Sequence, residues 1–305
     1  MQLSPLAHDR AGTGEPVVLI HGIGHRRGAW QPIFDQLSER YDVIAVDLAG
    51  FGESPGYPAG TPYTMDNACA DLAANFEAWG VSRPHVVGNS LGGALALELG
   101  ARDLVSSVTA ISPAGFFGRV ERFQALLPLA VMRLASQLPD RVLQVVSRSA
   151  AGRRLVGAPL YAHPERMTAY ATYQDCLAMK HSTGFFPAAR SGIGYSFEEP
   201  VEVPTTVAWG TKDRLLPYRQ SRTARLRLTG ARHVPLKDCG HVPMIDAPEA
   251  IIDLIDEVVA RAATTGATSP DRATERIRSL RSGLRRRRGH LCRPKSLGGT
   301  AFEGA

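Results

Sequence analysis

Short apolar runs rich in Val and Ile recur along the chain at Val17 to Ile20, Val43 to Val46, Val86-Val87, Val105 to Ile111, Thr205 to Trp209 and His233 to Leu236. The early runs are apolar on both faces, so each strand must be covered on both sides. Between them lie stretches that predict helices over Trp30 to Arg40, Met65 to Trp79 and Leu91 to Ala101, with a last helix from Pro248 to about Ala262. Strands buried on both faces and alternating with helices predict an α/β fold: a mostly parallel twisted sheet with helices on both faces. In such sheets chemistry gathers at the carboxyl ends of the strands.

The rhythm breaks between residues 115 and 200. Helical patterns run from Val120 to Leu138, Asp140 to Val156 and Pro164 to His181, with prolines at 128, 139, 159, 164 and 187 and no convincing buried strand. The expected organisation is a core over 1–114, a helical cap over 115–200, the rest of the core over 201–263, and a basic, disordered tail over 264–305. The alternative for the insertion is an extra helical layer. The tail is rich in Thr, Ser, Gly and Arg and almost lacks large apolar residues, so it cannot repay the entropy of ordering.

The net charge of +6 is uneven. From Thr264 onward nine Arg and one Lys face three acids, a balance of +7, which leaves the folded part near −1. The folded part therefore gives no reason to expect an obligate nucleic-acid partner; the run Arg285 to Arg288 reads as solvated, with contact to nucleic acid or anionic lipid as the alternative. Met1 to Pro5 do not resemble a signal peptide. The longest apolar stretch, Leu126 to Leu138, is interrupted by Pro128, Arg133 and Gln137 and is too short for a transmembrane segment. Cys69, Cys176, Cys239 and Cys292 are isolated, which fits neither a metal cluster nor a disulfide framework and suits a reduced, cytoplasmic setting. Nothing in the sequence specifies an oligomeric state.

The chemistry-bearing signal is Gly88-Asn89-Ser90-Leu91-Gly92, set between a strand and a helix. By composition a Gly-x-Ser-x-Gly pattern arises by accident roughly 0.2 times in such a chain. Its placement is more telling, because a serine on a tight strand-to-helix turn between small residues is forced outward, where its hydroxyl can attack a substrate. The bland alternative is a glycine-rich helix start with a capping serine. A serine hydroxyl needs a base and a carboxylate to orient that base. His241, beside Gly240 in the loop after the last strand, is the candidate base, and Asp213, just past the Thr205 to Trp209 strand, the candidate carboxylate. Asp47 reads as part of a shaped turn and Asp246 as part of the turn entering the last helix. Backbone N–H groups of Leu91 and of Ile23, in His21-Gly22-Ile23-Gly24, are the candidate oxyanion donors. Gly22, Gly24 and Asn89 are candidate substrate contacts, His21 a loop-fixing side chain, and His25 and Trp30 candidate pocket walls.

Taken together, His21 to Gly24, the Asp47 to Ser54 turn, Gly88 to Gly93, Trp209 to Asp213 and Gly240 to Pro243 resemble the α/β-hydrolase fold family, over about Val17 to Ala262. The resemblance implies a triad of Ser90, Asp213 and His241, a helical cap after the sixth of the usual eight strands, and neither metal nor organic cofactor. Only about sixteen residues precede Val17, so one or both usual opening antiparallel strands are expected to be short or missing. Serine at position 90 argues against relatives that use a carboxylate nucleophile. The reaction expected is hydrolysis of an ester of a small, largely apolar substrate by a carboxylesterase-like serine hydrolase. Asn89 is similar to the Gly-Asn-Ser of carbon–carbon bond hydrolases, and thioesterase and perhydrolase chemistry uses the same parts. The non-enzyme alternative is a receptor or scaffold with an idle triad. Aromatic residues of the insertion, among them Phe116, Phe117, Tyr170, Phe185 and Phe186, suit either a greasy pocket or the insertion's own core.

Overall fold

A computed structural model describes residues 3–118 and 121–266; side chains of 121–125 lie outside the description. Seven strands form one sheet: β1 (His8–Ala11), β2 (Pro16–Ile20), β3 (Asp42–Val46), β4 (His85–Asn89), β5 (Ser107–Ile111), β6 (Thr205–Gly210) and β7 (Arg232–Leu236). Their spatial order is β1-β3-β2-β4-β5-β6-β7. All pair in parallel except β1, which runs antiparallel to β3 with His8 opposite Val46. One opening antiparallel strand is therefore present, four residues long. Pro235, which has no N–H for a ladder, sits in the edge strand β7, where that loss is tolerated.

Alternate residues of β2 to β6 feed the two cores on opposite faces of the sheet. Val18 and Ile20 of β2 join Leu72 and Phe76 of α2 (Met65–Ala78) and Leu95 and Leu99 of α3 (Leu91–Ala101). Val17 and Leu19 join Ile33 and Leu37 of α1 (Gln31–Ser38) and Ile251 and Ile255 of the terminal helix, Pro248–Gly266. Because α3 is covered all round, its sequence is apolar apart from Glu98, which pairs with Arg102 and Tyr195, with Gly92 through Gly100 buried.

Between β5 and β6 the chain inserts five helices: α4 (Glu121–Ala135), α5 (Asp140–Arg148), α6 (Ala150–Gly157), α7 (Ala169–His181) and α8 (Phe185–Gly192). Among the described residues the insertion therefore follows the fifth of seven strands. The helix expected over 140–156 is broken at Ser149, whose backbone turns extended (φ −88°, ψ 141°) and whose hydroxyl accepts from Gly152 N at 2.9 Å. A Cβ on Gly152 would lie 2.0 Å from Val146 O, so glycine is required at that join. The helix expected over 164–181 is likewise divided: a 3-10 turn covers Pro164–Arg166, and Thr168 caps the start of α7 by accepting from Ala171 N at 3.0 Å. After β6 come α9 (Gln220–Arg227) and, following β7, α10, the terminal helix. The tail expected over 264–305 lies outside the described residues from 267 on, as does Cys292. No helix among the described residues is long and apolar enough to cross a membrane.

Candidate active site

The strand β4 ends at Asn89 and α3 begins at Leu91, so Ser90 makes the whole turn alone. It does so at φ 58°, ψ −114°, a region unfavourable for a residue with a side chain. The turn closes only because its neighbours have no side chains: a Cβ on Gly88 would lie 2.0 Å from Gly92 O, and one on Gly92 would lie 2.1 Å from Ile20 O. Ser90 N donates to Ile111 O at 2.9 Å, which fixes the strained residue to the adjacent strand. Gly22 stands over the serine, where a Cβ would come 3.0 Å from Ser90 Cβ and 3.6 Å from Oγ. Gly24 adopts φ 73°, and a Cβ there would meet Met179 of α7 at 2.4 Å, so it admits the insertion close to the loop after β2.

His241 follows β7 and is 2 % exposed; its Nδ1 lies 2.8 Å from Asp213 Oδ2. A carboxylate only accepts, so Nδ1 carries the proton and Nε2 presents a lone pair. Among the described residues Nε2 has no hydrogen-bond partner. The other oxygen of Asp213 accepts from Leu215 N at 2.9 Å and Leu216 N at 2.7 Å, which locks the carboxylate in line with the ring. Ser90 and His241 border one cavity of about 400 Å³. A second cavity, of about 130 Å³, also reaches Ser90, and Ile23, Leu129 and Leu215 line both. Neither Ile23 N nor Leu91 N donates a hydrogen bond among the described residues, so two free backbone donors flank the serine.

The remaining candidates fall into place as follows. His21 is fully buried and fixes its loop: Nδ1 donates to Gly22 O at 2.7 Å and Nε2 accepts from Leu48 N at 3.0 Å. Burial pushes its pKa down to about 4, against the opposing pull of Asp47. Asp47 does organise a turn, accepting from Arg27 N at 2.6 Å and Glu53 N at 3.0 Å. Asn89 borders the larger cavity, yet its Nδ2 is committed to His241 O at 2.8 Å and Ile111 O at 3.2 Å. His25 lines that cavity beside Tyr161, 3.3 Å away. Trp30 does not line it; this residue is wholly buried in the core on the α1 face. Phe116 is core, packed with Phe197 and Trp209, whereas Phe117 lines the smaller cavity and Tyr170 is exposed.

Sequence reasoning underrated Asp246. Its carboxylate accepts from Gly240 N at 2.7 Å, Ala162 N at 3.0 Å and His163 N at 2.9 Å, which ties the insertion to the loop carrying His241. A lone acid five residues past the histidine carries no signal of such contacts. Among the described residues no group of three or more His, Cys, Asp or Glu side chains is arranged to hold a metal.

A family model described as alpha/beta hydrolase matches residues 17–254. The pimeloyl-[acyl-carrier protein] methyl ester esterase of Aeromonas hydrophila is 26% identical, over 82% of this chain and 98% of that one. The 2-hydroxy-6-oxo-6-(2'-aminophenyl)hexa-2,4-dienoic acid hydrolase of Metapseudomonas resinovorans is 28% identical, over 78% of this chain and 82% of that one. Among solved structures, a bacterial membrane phospholipase A superposes with a TM-score of 0.66 at 26% identity, over 85% of this chain and 83% of that one.

Proposed function

The chain belongs to the alpha/beta hydrolase family, and from that premise we propose that it is a serine hydrolase cleaving esters of small, largely apolar groups through an acyl-enzyme. The observation that carries this reading is the orientation of His241, held at Nδ1 by Asp213 with Nε2 free in the cavity that Ser90 borders. Ser90 Oγ attacks the ester carbonyl as Nε2 takes its proton, and the N–H groups of Ile23 and Leu91 receive the negative oxygen. Collapse expels the alcohol, which takes the proton from Nε2; a water deprotonated by the same nitrogen then releases the acid. Asp213 holds the ring in this orientation and favours the imidazolium that forms. The gap between Nε2 and the hydroxyl in the free protein suits this role, since such bonds commonly tighten only with substrate in place. The insertion acts as the cap, supplying Met132, Leu143, Val146, Met167 and Met179 to the wall of the larger cavity.

The similarity to a dienoic acid hydrolase keeps carbon–carbon cleavage as the second reading. A dienoate carboxylate needs a cationic partner, and Arg153, which lines the larger cavity, donates from Nη1 to Ser147 O and Arg148 O while its buried Nε has no partner among the described residues. That guanidinium can meet a carboxylate, so the assay, not the lining, separates the two readings. The deciding experiment assays p-nitrophenyl esters, a thioester and a dienoic ring-fission product with the wild type, Ser90→Ala and Asp213→Asn. Ester turnover should fall at least about a thousandfold in either variant with folding intact. Turnover of the dienoate alone would transfer the assignment to the second reading, and absence of any turnover or serine labelling by a fluorophosphonate would indicate an idle site.

A further inference from the structure

The insertion carries an unusual concentration of large apolar side chains in water. Leu127, Val131 and Leu134 on α4 and Leu138 beyond its end follow a 4-3-4 spacing, which places them in one stripe. With Val145 on α5 and Leu155 on α6 they are between 46 and 77% exposed. Three of them, Val131, Leu138 and Leu155, also line the cavity that contains Ser90 and His241, so the stripe borders that cavity's opening to solvent. Scattered apolar side chains on a surface need no explanation, but a continuous group around an opening marks a contact surface.

The charge around the stripe selects what it contacts. Residues 121–157 contain six Arg against Glu121 and Asp140, and Asp140 is paired with Lys180 at 2.7 Å. Arg141 and Arg148 are exposed on α5 one turn to either side of Val145, on the same face. A two-fold contact between copies of this chain would bring two such arginine-bearing faces together, which costs energy. An anionic lipid surface accepts both components: apolar side chains enter the acyl boundary while the guanidinium groups remain at the phosphates. We infer that the face formed by α4, α5 and α6 is a docking surface for anionic lipid bilayers, which directs the opening of the larger cavity toward the lipid phase.

Docking does not require turnover, so it is tested in the full chain with Ser90→Ala, apart from any failure of the proposed chemistry. The probes are vesicles of phosphatidylcholine alone or with phosphatidylglycerol, read by co-sedimentation at low and high salt. The expected result is preferential, salt-sensitive binding to the anionic vesicles. That binding should weaken about tenfold or more in Leu127→Ser/Leu134→Ser/Val145→Ser and in Arg141→Gln/Arg148→Gln. All five positions lie outside the cavity walls, and unchanged circular dichroism and melting temperature establish that the variants fold. No binding by the parent protein would overturn the inference. So would binding that both variants retain, which would assign it to another part of the chain such as the arginine-rich C-terminal sequence. A concentration-dependent dimer that the leucine variant abolishes would assign the face to a second copy and equally overturn it.

Discussion

Among single residues, Asn89 most changes how the site is understood. Its side chain joins the strand that ends at the nucleophile to the loop that carries the base, donating to His241 O and Ile111 O. In Asn89→Ala the His241 carbonyl loses its donor and the Ile111 carbonyl keeps only Ser90 N, at a position only 2 % exposed. Stability should fall by about 2 kcal/mol, measured by urea unfolding, and kcat for a p-nitrophenyl ester should fall about tenfold as the imidazole loses its fixed position. KM should change little, because the amide is already fully engaged without substrate. A large rise in KM at constant kcat would instead make Asn89 a substrate contact, as its neighbourhood in sequence suggests. The order of Ser90, Asp213 and His241 along the chain is legible because each follows a strand end, and parallel strands bring their ends to one edge. The direction in which Asn89 points is not legible, since it depends on a carbonyl 152 residues away.

Two loops show how elements are held, and each yields a prediction. The loop after β2 depends on neutral His21, whose Nε2 must keep a lone pair for Leu48 N. The unfolded imidazole binds a proton below about pH 6.5, whereas the folded one waits until about 4. Between those values the unfolded state holds more protons, so acidification favours unfolding: the contribution is complete above about pH 6.5 and is lost progressively toward pH 4. The shift corresponds to about 3 kcal/mol. Chemical unfolding at pH 7, 6, 5 and 4.5 should therefore show a shallower pH slope in His21→Asn than in the wild type, and identical slopes would contradict this account. The loop after β7 is tied to the insertion by Asp246. Replacing it with alanine strands three N–H donors, that of Gly240 buried and those of Ala162 and His163 half-buried, and should cost about 3 kcal/mol with a matching loss of activity; Asn, which keeps an accepting oxygen, should restore part of both.

Over the whole molecule, legibility follows the range of the interactions concerned. The sheet and its flanking helices could be read because runs such as Val17 to Ile20 are apolar on both faces, a local pattern with one stable outcome. The insertion was read as helical, but its breaks at Ser149 and Thr168 arise from hydroxyls capping a new helix inside a continuing periodic pattern, which hydrophobic spacing does not reveal. The opening strand β1 agrees with the expectation of a short or missing one, and its position is not legible because His8–Ala11 is short, polar and half exposed. The two unequal hollows that meet at Ser90 were invisible for the same reason: they are bounded by residues from α2, α3 and the insertion, far apart in the chain.

Those hollows imply an asymmetric ruler. His241 borders the roomier one, of about 400 Å³, and a departing alkoxide must collect its proton there, which leaves the narrow one, of about 130 Å³, for the carbonyl side chain. Lengthening the fatty portion of a test ester carbon by carbon should bring kcat/KM down steeply, while the same carbons added to the alcohol should be accepted with little loss. A homologous series run in both directions reads this out, and equal tolerance on the two sides would mean that the partition between the hollows gives way when substrate arrives.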